Sequence, residues 1–334
     1  MKTLIADEFE PWEPERPQIY IEKGDLAYWA GAAMSIEKAR VAAEVSLAHM
    51  LKYGGDLPDR REYLKLLREA EAYADRRLKA LIVAHPTYEW ARRIKGIGKQ
   101  SEVFAKVVGE IERFGKFYDV GDPDIPYYVK RKPQEYRIVI GGEVQEKVGI
   151  FVKGIERVTM ASKLRKYAGL YVDEEGHAPK RQKGEKLPYN GDLRMLLEGR
   201  LATNLNRAGG VWSQEYQDIR QRMEGECADK GIKLVPTPKE RQCLDCGEVV
   251  VKKATHVCPR CGGTLSAKEE PEGYIYRGHF HLMVVRKMMQ RFLVCLWYVW
   301  RQAENLPTPV PYAVKYYGHK PIDPWSMVDD TEGL

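Results

Sequence analysis

The sequence lacks a long hydrophobic run without charges. Its longest apolar stretch, residues 280–300, contains Arg286, Lys287 and Arg291. Each such charge costs about 2.5 to 3.5 kcal/mol at the centre of a membrane-spanning helix. The first 17 residues are acidic and contain prolines, which is not the pattern of a secretory leader. The sequence therefore predicts a cytoplasmic protein with no membrane contact, located at the nucleoid.

The composition also lacks the signatures of fibrous, disordered and disulfide-dense proteins. Of 334 residues, 44% are hydrophobic, 31% are charged and six are cysteines, which predicts a globular chain of two or three modules. The net charge of +6 is unevenly distributed: residues 91–117 contain seven basic and three acidic side chains, and residues 162–207 contain ten and six. Clustered basic charge is typical of a polyanion-binding face, although a solvated helix surface gives the same pattern.

Four of the cysteines form two knuckles with metal-binding spacing. Cys243 and Cys246 form one Cys-x-x-Cys-Gly motif, and Cys258 and Cys261 form the second, eleven residues further on. Two residues between thiolates let both sulfurs bind one ion, and the glycine permits the turn beneath it. The pattern predicts a zinc ribbon with one structural Zn2+. Two disulfides or a redox site are the alternatives, and His256 is a competing ligand.

Two helices are predicted near the start of the chain. The first runs from Ser35, as its N-terminal cap, to Tyr53, where Gly54 and Gly55 end it; the second starts near Asp56 or Pro58 and ends at Ala84. The second helix contains a stripe of apolar residues at alternating three- and four-residue steps: Leu64, Leu67, Ala74, Leu78 and Leu81. This stripe is typical of packing inside the chain, and a homodimer through residues 56–84 is the alternative.

A basic glycine turn follows. Lys95, Gly96, Ile97, Gly98 and Lys99 lie between two apolar segments that are predicted to be helical. The glycines permit a turn that exposes backbone N–H groups at a helix N-terminus, where a DNA phosphate can bind. The pattern predicts a helix-hairpin-helix, and an ordinary corner between two helices is the alternative.

The remaining pattern gives the fold class. Residues 136–140 and 148–152 alternate like a β-hairpin around Gly141 and Gly142, and helical patterns cover residues 190–206, 213–227 and 278–303. The prediction is a mainly α protein: a helical domain with a helix-hairpin-helix, a small β-hairpin insertion and an inserted zinc ribbon. The predicted segments are an acidic N-terminal segment (1–34), a helical hairpin (35–86), a helical domain (87–227 and 277–306, with the insertion at 118–155), the ribbon (228–276) and a tail (307–334).

The order of these motifs resembles a known family. Residues 85–86, 94–98, 163–170, 190–194 and 286–287 resemble, in sequence order, the C-terminal half of the DEDD insertion-sequence transposases (the IS-one-ten group, which includes the Piv DNA invertase). The resemblance covers roughly residues 60–305. It implies DNA contacts by Asn190, Arg194, Arg286 and Lys287, and a structured RNA as a partner in transposition. A second basic interface is expected at Arg181, Lys183 and Lys186.

The chain departs from that family at both catalytic sites. Members have an N-terminal RuvC-like nuclease domain, for which the roughly sixty residues before the matching region are too few. Lys186 occupies the place of the family's serine nucleophile. We therefore expect a transposase-related protein that binds DNA and has no catalytic residues of its own.

Two alternatives stay open. One is a recombinase subunit with a RuvC-like partner chain, in which Tyr189 or Ser162 replaces the serine. The other is an RNA-binding or assembly protein, in which Tyr127 and Tyr128 stack on bases.

Overall fold

The computed structural model describes residues 18–53, 55, 58–98, 101–140, 143–172, 178–179, 184–185, 187–238, 240–251, 257–266, 270–310 and 321–329. These residues form a mainly helical fold with a few small sheets. The helices are α1 (Gln18–Lys52), α2 (Pro58–Ile82), α3 (Tyr88–Ala91), α4 (Glu102–Glu112), α5 (Gly154–Arg157), α6 (Ala161–Tyr167), α7 (Gly191–Arg194), α8 (Ala202–Arg207), α9 (Val211–Asp229) and α10 (Arg277–Ala303). The strands are β1 (Lys116–Asp119), β2 (Gln134–Ile140), β3 (Glu143–Val152), β4 (Lys233–Val235), β5 (Glu240–Gln242), β6 (Val249–Val251) and β7 (Tyr274–Tyr276).

Helix α10 forms the centre of the core. Its apolar residues from Phe280 to Trp300 are largely buried and pack against α6, α8, α9 and the segment that joins α7 to α8. Arg301 is fully buried, and its guanidinium donates hydrogen bonds to the carbonyls of Ile155, Val158 and Pro307. No helix within the described ranges combines the length and apolar content that crossing a bilayer requires.

Helix α4 is the second buried helix, with every residue from Val103 to Ile111 inside the fold. Ser101 caps it by accepting a hydrogen bond from the backbone N–H of Phe104 (3.2 Å). A methyl group at Gly109 would lie 2.5 Å from the Cβ of Ala30, so this glycine allows α1 to cross closely. Residues 101–112 therefore form a capped helix inside the core.

Helix α1 is longer than the sequence analysis predicted. Ser35, the predicted cap, lies inside it and donates a hydrogen bond to the Gly31 carbonyl (2.9 Å). The described part of the predicted acidic segment, residues 18–34, is helical, and four of its apolar side chains are buried: Leu26, Ala30, Ala33 and Met34. Burial of this face extends the helix past a residue that favours caps in isolation.

The apolar stripe of α2 packs inside the chain. Leu64, Ala74 and Leu78 are buried, and α2 lies along α1 and contacts α4. Glu71, which interrupts the stripe, forms an ion pair with Arg40 of α1. The predicted helix is therefore confirmed, while the homodimer through residues 56–84 stays a prediction.

The predicted β-hairpin is confirmed and belongs to a three-stranded antiparallel sheet in the order β1-β3-β2. Ile140 pairs with Glu143 beside the turn, and Gln134 pairs with Gly149. The second half of β3 pairs with β1, with Val152 opposite Lys116. The sequence analysis missed β1 because four residues are too few to show a period.

Two further features connect the elements. A π-helical stretch, Met195–Leu201, joins α7 to α8, so that residues 191–207 form one continuous helical segment. Strands β4 and β7 pair in parallel at the base of the ribbon, directly after α9 and directly before α10. Helices α9 and α10 therefore anchor both ends of the inserted ribbon.

A partly buried polar pair lies between the end of α2 and the end of α4. The Nε2 of His85 is 3.8 Å from the Oε1 of Glu112, and its Nδ1 is 2.8 Å from the Thr87 hydroxyl. Burial lowers the pKa of His85 to about 3, with Lys153 adding repulsion. Burial raises the pKa of Glu112 to about 8, with the charge of Glu304 adding to the effect. Both groups are therefore uncharged at neutral pH, and their contact is not an ion pair.

Candidate metal centre and nucleic-acid interface

The four knuckle cysteines form a cluster that can hold one metal ion. The sulfur atoms of Cys243, Cys246, Cys258 and Cys261 all lie within 4.8 Å of one another. The Sγ–Sγ distance is 3.5 Å between Cys243 and Cys261 and 3.7 Å between Cys246 and Cys258. Ligands at about 2.3 Å from the centre of a tetrahedron are about 3.8 Å apart, which matches these distances. The cluster is consistent with a zinc site that has four thiolate ligands.

The backbone of each knuckle prepares the thiols for a metal. Gly247 and Gly262 adopt positive φ values of 71° and 73°, and their N–H groups donate to the carbonyls of Cys243 and Cys258. Hydrogen bonds from the backbone N–H groups of Cys246 and Asp245 lower the pKa of the Cys243 thiol to about 7. The neighbouring thiols raise the pKa of Cys261 to about 12, so Cys243 is deprotonated before Cys261, and the thiolate is the form that binds metals.

The ribbon has only a very small core of its own. Strands β5 and β6 pair in antiparallel fashion, and the buried cluster beside them contains Cys243, Val250, Cys258 and Leu265. Two of these four residues are themselves candidate ligands, so the apolar area is too small to fold the ribbon alone. Metal binding would supply that missing free energy.

The Gly96–Gly98 turn is tightly packed on one side and open on the other. Gly96 and Gly98 have positive φ values of 93° and 70°, which favours glycine at both positions. A Cβ at Gly96 would lie 2.7 Å from the Asn204 carbonyl oxygen, and Ile97 is buried, whereas Lys95 and Gly98 are exposed. A helix-hairpin-helix stays a prediction, because α3 has only four residues and residues 99–100 lie outside the described ranges.

Two backbone donors beside this turn converge on one carboxylate. The N–H of Lys95 donates to Oδ2 of Asp329, and the N–H of Val211, the first residue of α9, donates to Oδ1, both at 2.7 Å. The positive end of the α9 dipole points at the same group. We call these two donors the anion site. Asp329 was not predicted, since no sequence pattern links it to residues more than 100 positions away.

The segment that contains Asp329 is fixed to the body by further backbone contacts. The indole N–H groups of Trp90 and Trp212 donate to the carbonyls of Pro324 (2.8 Å) and Met327 (3.1 Å). The N–H of Asp329 donates to the Arg93 carbonyl (3.0 Å). Residues 321–329 therefore cover the anion site as a positioned element.

The residues implied by the transposase resemblance lie mostly in internal networks. Asn190 caps α7 by accepting from the Leu193 N–H, and its Nδ2 donates to the carboxylate of Glu110 (2.8 Å). Glu198 accepts hydrogen bonds from Arg194 and Arg286, each at 2.9 Å. All three charged side chains of that cluster are less than a fifth exposed. These contacts stabilise the fold, whereas Lys287 is exposed on α10.

Of the other predicted residues, the structure describes only some. Lys99, Arg181, Lys183, Lys186 and His256 lie outside the described residues. Tyr189 is half-buried against Gly169, and the Arg194 guanidinium lies 5.3 Å from its ring centroid. Ser162 is exposed in the first turn of α6.

No protein-family model, curated protein or solved structure matches this chain.

Proposed function

We propose that the chain binds nucleic acid by its phosphate backbone, at the anion site and the exposed Lys95 beside it. The observation that supports this proposal is the convergence of two backbone N–H groups on one carboxylate. Carboxylate and phosphodiester oxygens are both anionic acceptors that bind at helix N-termini. A backbone phosphate is therefore the ligand that we expect to displace Asp329.

The charge around the anion site supports a polyanionic ligand. Lys95 is exposed and forms no ion pair with any described residue. Arg92, in contrast, is paired with Glu89, and the Arg93 guanidinium lies over the ring of Trp325. Phosphate contacts of this kind position a protein on nucleic acid without reading the bases. The expected binding is sequence-tolerant and sensitive to salt.

Two parts of the proposal concern the rest of the chain. We propose Zn2+ as the ion of the cysteine cluster, because four thiolates at tetrahedral spacing form a closed structural site. We also propose that the chain is a relative of the insertion-sequence transposases that binds DNA without cutting it. The order of the motifs supports the relationship, and the lysine at position 186, in place of the family's serine, supports the lack of cleavage.

The contribution of the lysine side chains beside the anion site is tested by the salt dependence of DNA binding. Replacing Lys95 and Lys99 with glutamate should weaken binding to several unrelated duplexes alike, and should lower the slope of log K against log salt by about two. The measurement is fluorescence anisotropy at a series of salt concentrations. Lys65→Glu is the control, because Lys65 is also exposed but lies on α2. A double variant that binds like the native protein would contradict the proposal.

A second variant tests the competition with Asp329. Asp329→Asn removes the charge that occupies the anion site, so duplex binding should become roughly two- to fivefold tighter. Asp229→Asn is the control, since it removes an exposed carboxylate at the far end of α9. Equal affinities for the two variants would show that general charge, and not the anion site, governs binding.

A further inference from the structure

An open cleft of about 810 Å3 lies between the loop that follows β1 and helix α6. Its volume is within the range of roughly 300 to 1,000 Å3 that ligand pockets occupy. The cleft is not apparent from the sequence, although its lining includes Tyr127, which the sequence suggested as a stacking residue. Apart from Tyr127, none of the residues argued above for nucleic-acid contact lines it.

The floor of the cleft is aromatic and fixed in place. The rings of Phe114 and Tyr167 are 4.3 Å apart, and the Arg157 guanidinium lies 4.1 Å from the Phe114 ring centroid. Arg157 also donates to the hydroxyl of Tyr118 (3.0 Å) and to the Phe114 carbonyl. Tyr167 donates to the Glu110 carbonyl (3.1 Å) and accepts from Asn190. The floor is therefore formed before any ligand arrives.

The rim of the cleft combines a free aromatic ring with free positive charge. Tyr127 is 84% exposed, and its ring forms a T-shaped contact with that of Tyr128, with the centroids 5.2 Å apart. Lys163 and Lys166 are exposed on α6, and neither forms an ion pair with a described residue. Asp124 is the acidic side chain of the lining, against three basic ones. The rim thus offers a stacking surface and two cations.

Tyr128, the neighbouring tyrosine, has a structural role. Its hydroxyl donates to the Glu156 carbonyl, and the buried Arg301 lies 5.2 Å from its ring. These contacts anchor the loop from beneath and leave Tyr127 projecting from it. An exposed aromatic ring on an anchored loop loses little conformational freedom when a flat ligand stacks on it.

We propose that this cleft binds one unpaired nucleotide of single-stranded nucleic acid. The base stacks on Tyr127 against the aromatic floor, and the flanking phosphates contact Lys163 and Lys166. Stacking on aromatic side chains and neutralisation of phosphate by lysine are the two interactions by which single strands are held without sequence preference. The inference rests on the proposed function, because it states which form of nucleic acid binds in this cleft, in addition to the duplex at the anion site. A paired base is already stacked within its helix, so duplex does not use Tyr127.

The experiment compares single-stranded and duplex DNA of one sequence, each labelled with fluorescein, by anisotropy at low salt. Tyr127→Ala should weaken single-strand binding about tenfold and leave duplex binding unchanged. Tyr127→Phe should bind like the native protein, since stacking needs the ring and not the hydroxyl. Tyr63→Ala is the matched control, because Tyr63 is 53% exposed on α2. Lys163→Gln with Lys166→Gln should lower the single-strand salt slope by about 1.4.

The outcomes separate the two proposals. One outcome is that the native protein binds both forms while Tyr127→Ala binds single strands equally well. That result overturns the cleft proposal and leaves the anion-site proposal unaffected. The cleft proposal is also overturned if only the lysine variants lose affinity, since the site would then bind phosphate without stacking the base. Native protein that binds neither form contradicts both proposals.

Discussion

Glu112 shows how a partly buried carboxyl contributes to the pH dependence of stability. Its folded-state pKa is about 8 and its ordinary value is 4.5. Between these values the folded chain binds more protons than the unfolded chain, so stability falls as pH rises. His85 acts in the opposite sense, because its folded pKa of about 3 makes stability fall as pH drops from 6.5. Between pH 6.5 and 8, of these two groups, only Glu112 contributes.

Replacing Glu112 with glutamine should therefore reduce the pH dependence of stability between pH 6.5 and 8. We expect the native protein to lose a few degrees of Tm between pH 6.5 and 8, while Glu112→Gln loses clearly less, because glutamine stays uncharged. Thermal unfolding followed by circular dichroism measures both. Glu89→Gln, an exposed residue on α3, should behave like the native protein. Parallel curves for Glu112→Gln and the native protein would disprove this role.

Individual residues also show which parts of a site can be predicted from the sequence. The four cysteines were found because their spacing is local and chemically specific. Asp329 was missed because a lone aspartate has no local pattern. Arg194 and Arg286 were expected to contact DNA from the resemblance, but only the fold brings Glu198 between them. Local spacing therefore predicts ligands better than it predicts contact partners.

At the scale of elements, the ribbon should respond to metal as a unit separate from the helical body. We expect about one zinc per chain, lost in a Cys243→Ser, Cys246→Ser double variant. Residues 240–266 should then become sensitive to proteases, while the far-ultraviolet helical signal stays, because the main core contains none of the described residues of that range.

Metal analysis and limited proteolysis measure these effects. Cys227→Ser should keep its zinc, since Cys227 lies in α9 outside the cluster. Native protein with less than about half an equivalent of zinc would count against the assignment.

Element boundaries followed the sequence where side chains decide them locally. Helix α2 and the β2–β3 hairpin were predicted, because one has an apolar stripe and the other alternates with a period of two. The start of α1 and the strand β1 were not. The first depends on burial against α4, and the second on pairing with β3. Both are decided by partners distant in sequence.

At the scale of the whole molecule, the type of metal ligands that the chain offers is relevant to catalysis. Within the part of the chain that the structure describes, the cluster with metal-ligand geometry is the four cysteines. Four thiolates complete the coordination sphere of a tetrahedral metal ion and leave no open position for a phosphate oxygen. Because Lys186 stands at the place of the serine nucleophile in the transposase resemblance, we expect the isolated chain to bind supercoiled plasmid and neither nick nor join it with Mg2+ or Mn2+.

Denaturing gels of the same reactions test for covalent adducts between protein and DNA. Tyr189→Phe serves as the comparison, because Tyr189 is the hydroxyl beside Arg194 and the strongest substitute for the missing serine. Metal-dependent nicking that this variant abolishes would establish a recombinase with a tyrosine nucleophile.

The distance in sequence between Lys95 and Asp329 also has a consequence for synthesis. The two residues are 234 positions apart. At about 5 to 20 residues per second, a ribosome makes Asp329 roughly 10 to 50 s after Lys95. During that interval the nascent chain can build the turn, but its carboxylate partner does not yet exist. Any anion near the polysome, messenger RNA included, meets the Lys95 turn before the protein's own aspartate does.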